Sequence, residues 1–146
     1  MSPEIVEYSD ERHRGGVIAL WQSIFGYGEA RNDPALAIDR KVAVDDGLFF
    51  VAEYAGEVAG TLMAGYDGHR GWIYSLAVDP EQRSHRLGSK LLEVAEAKLT
   101  ALGCVKINLQ VRTDNADVQR FYERDGYSVE PRISMGKSLM PERDRS

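Results

Sequence analysis

Val78-Asp79-Pro80-Glu81-Gln82-Arg83-Ser84-His85-Arg86-Leu87-Gly88-Ser89-Lys90-Leu91-Leu92 joins a strand end, a basic polar turn and the start of an amphipathic helix in one run. Asp79-Pro80 closes the apolar, β-prone stretch Trp72–Val78, because proline has no N–H to extend a ladder. Leu87, Leu91, Leu92, Ala95, Leu99 and Leu102 then recur at three- and four-residue steps, and Gly103 marks the helix stop. The unpaired N–H groups of that helix start, its positive dipole end, and Arg83, Arg86 and Lys90 form a candidate pyrophosphate cradle. The competing reading is a solvated basic loop capped by Ser84, and spacing alone weighs the two evenly.

Working upstream, Glu57–Tyr66 and Leu48–Tyr54 read as strands joined by the two-residue turn Ala55-Gly56. Asp67–Gly71 turns the chain into Trp72–Val78, which makes an antiparallel meander. Before it, Ile5–Tyr8 reads as a strand, and Asp10 as the cap of a helix running to Phe25 whose first turns are weakened by Gly15-Gly16. Asp33-Pro34 starts a second helix carrying Leu36, Ile38, Val42 and Val44, stopped by Asp45-Asp46-Gly47. Downstream, Val105–Val111 reads as a strand and Asn115–Asp125 as a short helix closed by Gly126. Tyr127–Val129 and Ile133–Leu139 read as a closing pair of strands, and Pro141–Ser146 as a charged, disordered tail.

A meander feeding a strand–helix–strand crossover predicts a mixed α/β sheet with at least one parallel pair. Parallel strands end together, so the loops after Val78 and Val111 are expected on one side, where ligands bind in such sheets.

The length of 146 residues suits a single domain over 1–146, with a core over about 5–139 and a tail over 140–146. A net charge of −5 argues against a nucleic-acid or anionic-membrane binder, each of which needs a basic excess. One cysteine, Cys104, excludes an internal disulfide and a cysteine-built zinc site, and it reads as a buried, inert thiol. His13, His69 and His85 lack metal-ligand spacing and read as solvated, so no metal is expected. Trp21, Phe25, Phe49, Phe50 and Phe121 read as core, and Asp45-Asp46 as a solvated helix end. The start of the chain carries no secretory pattern and no stretch is long enough to span a membrane, so a cytoplasmic location is expected.

Arg83-Ser84-His85-Arg86-Leu87-Gly88 resembles the Arg/Gln-x-x-Gly-x-Gly/Ala loop of the GNAT superfamily of acetyl-CoA-dependent N-acetyltransferases. The run Asn115–Tyr127, with Tyr122 in its helix and Gly126-Tyr127 at its close, resembles that family's second signature, in the family's order. Asn32-Asp33-Pro34, Gly65–Gly71 and Tyr122-Glu123-Arg124 resemble small bacterial members of the YpeA type. The likeness spans roughly Ile5 to Leu139. It departs from the pattern where Arg86 and Ser84 stand at glycine positions.

The resemblance implies a GNAT-like acyl-CoA N-acyltransferase fold, in which the meander is followed by a splayed parallel pair flanked by helices. It implies that the Leu76 N–H polarises the acetyl carbonyl and that Val78 pairs with the pantetheine arm. The amides of Arg83, Arg86, Gly88 and Ser89 would hold the pyrophosphate, and Asn115 would contact the pantetheine. Tyr122 would act as general acid at the sulfur, against the plainer reading of a buried tyrosine bonded to a backbone carbonyl. The implied partners are acetyl-CoA and an amine attacking directly through a tetrahedral intermediate. Glu53, Asp67, His69 and Tyr74 are base candidates that spacing does not separate. A homodimer closed through the last strands fits the resemblance. The rival from another class is a regulatory module that binds an acyl-CoA without turnover, motivated by Arg86.

Overall fold

The computed structural model describes residues 2–26 and 33–141. Asn32 of the Asn32-Asp33-Pro34 run and residues 142–146 of the expected tail lie outside the described residues. In chain order the elements are β1 (Glu4–Glu7), α1 (Asp10–Phe25), α2 (Pro34–Val44), β2 (Phe49–Tyr54), β3 (Glu57–Tyr66) and β4 (Gly71–Val78). A 3₁₀ turn (Pro80–His85), α3 (Leu87–Ala101), β5 (Ile107–Leu109) and α4 (Ala116–Arg124) follow. The strands form one sheet in the order β1-β2-β3-β4-β5, antiparallel except for the parallel pair β4 and β5. The expected mixed sheet with its meander is therefore the observed one.

Alternation along the strands sends side chains to two faces. Phe49 and Val51 pack with Val17, Leu20 and Trp21 of α1 and Ile38 of α2. Phe50 and Ala52 pack with Leu87, Leu91, Leu92, Ala95 and Leu99 of α3 on the other face. Gly16 is what lets α1 lie close to the sheet, since a Cβ there would sit 2.7 Å from Val58 Cγ2. The glycine pair that weakens the helix is thus partly a packing device. At the hairpin between β2 and β3, Ala55 (φ 53°) and Gly56 (φ 79°) are both left-handed, the geometry of a two-residue turn that follows strand twist.

Several expectations need correction. Ser9, not Asp10, is the N-cap of α1, and its N–H is accepted by His13 Nδ1 at 2.9 Å. Asp10 sits in the first turn, where it accepts from Tyr8 and Arg14, each at 2.8 Å. His13 is buried, 2% exposed, because both ring nitrogens find partners: Ser9, and Glu53 Oε2 at 2.7 Å. Phe25, at the end of α1, is 43% exposed and outside the core. Cys104 is only half-buried.

The strand expected over Val105–Val111 shrinks to β5, with Val105 left 89% exposed. The closing strands Tyr127–Val129 and Ile133–Leu139 do not form, and Ile133, Met135 and Leu139 stand about nine-tenths exposed. A strand of only Ile107–Leu109 offers little edge to pair with. The segment is tied to it by side chains instead: Asn108 donates to Glu130 at 2.7 Å, and Lys106 pairs with the same carboxylate. Among the described residues no helix is long and apolar enough to cross a membrane.

Candidate active site

The two halves of β4 differ. Gly71, Trp72 and Ile73 pair with β5, and that pairing ends at Ile73 and Leu109. Toward β3, Met63 faces Tyr74 and Thr61 faces Ala77, so Ser75 and Leu76 together stand opposite the single residue Leu62, one residue more than the ladder needs. That is a β-bulge, and Ser75 takes it up with a left-handed φ of 49°. Leu76 and Val78 thus lie beyond the last β5 pair, on a strand edge left open to an incoming chain.

The same end of the sheet carries the start of α3. Asp79 Oδ1 accepts from the Glu81 N–H at 3.0 Å and starts the 3₁₀ turn, so the expected loop is a wound one. Arg86 closes it in the left-handed region (φ 56°, ψ 36°) and doubles as the N-cap of α3, with no side-chain cap. The arginine therefore adopts the backbone that a glycine would supply. Its carbonyl accepts from Lys90 N at 3.1 Å, while the N–H groups of Leu87, Gly88 and Ser89 precede the first helical bond. Arg83, Arg86 and Lys90 are exposed, and among the described residues none of them pairs with a carboxylate. This leaves three cations and a helix start facing the same solvent.

Two contacts join this turn to α4. A Cβ on Gly88 would meet Phe121 Cζ at 2.9 Å, so Gly88 is spent on packing as well as on its amide. The Ser89 hydroxyl donates to Asp125 Oδ2 at 2.8 Å, which leaves its backbone N–H as the group to offer a ligand. Asn115 is the N-cap of α4 and accepts from the Val118 N–H at 3.2 Å, so only its Nδ2 is uncommitted.

Tyr122 lies in the α3-side core cluster that Leu76, Val78, Leu109 and Val111 pack against. It is 8% exposed, with Phe121 and Tyr127 rings 5.2 and 5.7 Å away. Burial pushes its phenol up to about 12, so it holds its proton across the neutral range. Its hydroxyl makes no hydrogen bond with a described residue and is not sealed from solvent. The backbone carbonyl required by the plainer reading is absent among the described residues. Tyr122 also lines an open cleft of about 1890 Å³ between β5, α4 and the C-terminal segment; Leu76 and the α3 start lie outside that cleft.

The base candidates separate. The carboxylate of Glu53 is taken by His13 and Arg12, at 2.7 and 2.6 Å, and these hold it below the usual range. Asp67 accepts the Arg70 and His69 N–H groups at 2.7 and 2.8 Å, which lowers it and fixes it as a turn former. Tyr74 is raised by burial and by Asp67, so it is a phenol rather than a base. His69 sits exposed in the turn before β4, and the five steps from Gly71 to Leu76 alone span about 16 Å of strand. Sequence reading passed over Ser75 and Thr61, whose part in the bulge depends on contacts between distant elements. Among the described residues no cluster suited to a metal ion occurs.

The chain matches the acetyltransferase (GNAT) family over residues 11–127. It is 43% identical over 129 residues to an acetyltransferase of Sodalis glossinidius, covering 88% of this chain and 90% of the relative. Among solved structures it superposes on Ard1 of Thermoplasma volcanium with a TM-score of 0.77 at 26% identity, covering 89% and 85% of the two chains. An acetyltransferase of Streptococcus agalactiae gives a TM-score of 0.78 at 21% identity over 99% and 94%, which speaks for the fold.

Proposed function

Because the chain belongs to the GNAT acetyltransferase family, we propose that it moves an acetyl group from acetyl-CoA to a primary amine by direct attack at the thioester. The observation that carries this is the open second half of β4, flanked by an unpaired helix start and unpaired cations.

The residues fit the group they would hold. The N–H groups of Leu87, Gly88 and Ser89 with Arg83 and Arg86 suit a pyrophosphate. Val78 offers a strand edge to the amide-bearing pantetheine arm, and Asn115 Nδ2 offers one more donor. Acetyl-CoA supplies an activated acyl carbon when bound. Leu76 N–H, at the bulge and beyond the last β5 pair, serves the negative charge that grows on the acetyl oxygen. Tyr122 stays protonated and unbonded, and so can donate to the departing sulfur.

The proton count closes, since the nitrogen must lose one proton and the sulfur gain one; the phenol passes it on and is returned neutral. With Glu53 and Asp67 committed elsewhere and His69 beyond the far end of β4, the amine enters already neutral or gives its proton to water. Arg86 motivated the reading of a binding module without turnover. Its left-handed turn keeps the loop wound, and no observation now favours that rival.

Thermal unfolding with acetyl-CoA, free CoA and AMP tests the reading. Ligand at about 100 times its dissociation constant should add about 2.7 kcal/mol of stability. The protein should then release CoA thiol with some member of an amine panel. No shift at millimolar acetyl-CoA contradicts the cofactor assignment; a shift without thiol release across a broad panel contradicts the transfer.

A further inference from the structure

The bulge in β4 is held from behind by two buried polar side chains that the mechanism above does not use. Trp21 and Thr61 are both fully buried. The Trp21 Nε1–H donates to Thr61 Oγ1 at 2.8 Å, and the Thr61 hydroxyl donates to the Ser75 carbonyl at 2.9 Å. A valine and a phenylalanine would fill these positions without desolvating a hydroxyl and an indole N–H. The polar pair therefore has to be explained by what it holds, and it holds the carbonyl of Ser75, the residue that takes up the bulge.

The Ser75 carbonyl and the Leu76 N–H belong to the same peptide unit. The peptide is trans, so the two groups point in opposite directions. Anchoring the carbonyl on Thr61, toward β3 and α1, turns the N–H away from β3 and toward the edge that β5 leaves open. A chain of hydrogen bonds running indole, hydroxyl, carbonyl also polarises that peptide and makes its N–H a stronger donor. Ser75 is a serine at positive φ, a conformation unfavourable for a residue with a Cβ, so without such an anchor the peptide has reason to relax.

We infer that Thr61, backed by Trp21, is a positioning residue for acetyl transfer: it sets the direction and donor strength of the Leu76 N–H through the Ser75–Leu76 peptide. The inference rests on the acetyl-transfer reading. Neither side chain touches the acetyl group.

The test compares Thr61→Val with Thr61→Ser. Thr61→Val should lower kcat about ten-fold while KM for acetyl-CoA stays within about two-fold, because the donor acts on the transition state and not on cofactor binding. Thr61→Ser keeps the hydroxyl and should recover most of the rate. Trp21→Phe leaves Thr61 in place and should give a smaller loss of the same kind. In protein carrying ¹³C-carbonyl serine, the Ser75 carbonyl signal should move upfield in Thr61→Val, with no cofactor present. An unmoved Ser75 signal, an unchanged kcat in Thr61→Val, or equal losses in the valine and serine variants would each overturn the inference. Wild-type protein that binds no acetyl-CoA, in a sample whose Ser75 signal does respond to Thr61→Val, would overturn the transfer reading beneath it.

Discussion

The first half of β4 and its second half are built from the same kind of sequence and end in opposite states. Gly71–Ile73 is bonded on both sides, to β3 and to β5, and Gly71 is so enclosed that a Cβ there would lie 2.9 Å from Cys104 Sγ and 3.0 Å from Leu99 Cδ1. Ser75–Val78 is bonded toward β3 only, bulged, and open on the β5 side. A sheet that satisfies all its backbone groups has nothing to offer a ligand; one that leaves a strand edge unpaired beside a helix start offers N–H groups already in place. On the proposed function, the first half serves stability and the second serves the chemistry.

If that division holds, substitutions near the open half should reduce turnover and those in the closed half should reduce stability. The largest effect is expected for Tyr122→Phe. It should lower kcat about 100-fold with little change in acetyl-CoA affinity, read by thiol release and by calorimetric titration. Equal losses of rate and affinity would give Tyr122 a binding role instead. In the closed half, Gly71→Ala should cost about 1–3 kcal/mol by overpacking against Cys104, Leu99 and Ile107, seen as a lower Tm, while kcat of the folded enzyme is kept.

Arg86→Gly sharpens the comparison from the loop side. Relief of the left-handed arginine should raise stability by about 1 kcal/mol in denaturant unfolding. A loss of acetyl-CoA affinity of about ten-fold in the same variant would mark the guanidinium as a phosphate contact.

The smallest effect concerns pH. Glu53 has its folded pKa lowered, first by the His13 hydrogen bond and then by Arg12. Its contribution to stability is therefore present above the unfolded value of about 4.3 and is lost as pH falls through the lower folded value. Glu53→Gln should lose less stability between pH 7 and pH 3 than wild type, by thermal unfolding, without changing kcat at neutral pH.

Much of the fold was legible because its elements carry local signals. Asp33-Pro34 caps α2 as its residue types require, with the Leu36 N–H 3.1 Å from Asp33. Ala55-Gly56, the leucine spacing of α3 and Gly103 after it likewise mark real boundaries. The C-terminal strands were over-read because alternation in Ile133, Met135 and Leu139 signals a strand only when an edge is there to receive it, and β5 is too short to be that edge. Of the candidate site, the basic turn and Tyr122 were visible. The bulge was not, because serine at Ser75 carries no left-handed signal. Its anchor, Trp21 on Thr61, joins residues 40 apart in sequence. Buried His13 was missed for the same reason, since Glu53 is its partner only once β2 lies against α1.

The account turns on one amide. Labelling with ¹³C-carbonyl serine and ¹⁵N leucine selects the Ser-Leu peptide bonds, which in this sequence are Ser75-Leu76 and Ser138-Leu139. Titration with acetyl-CoA should move the Leu76 N–H downfield as it takes up the acetyl oxygen, and free CoA should move it less. Acetyl-CoA that binds to saturation and leaves Leu76 unmoved would contradict the assignment of the chemistry to the open half of β4.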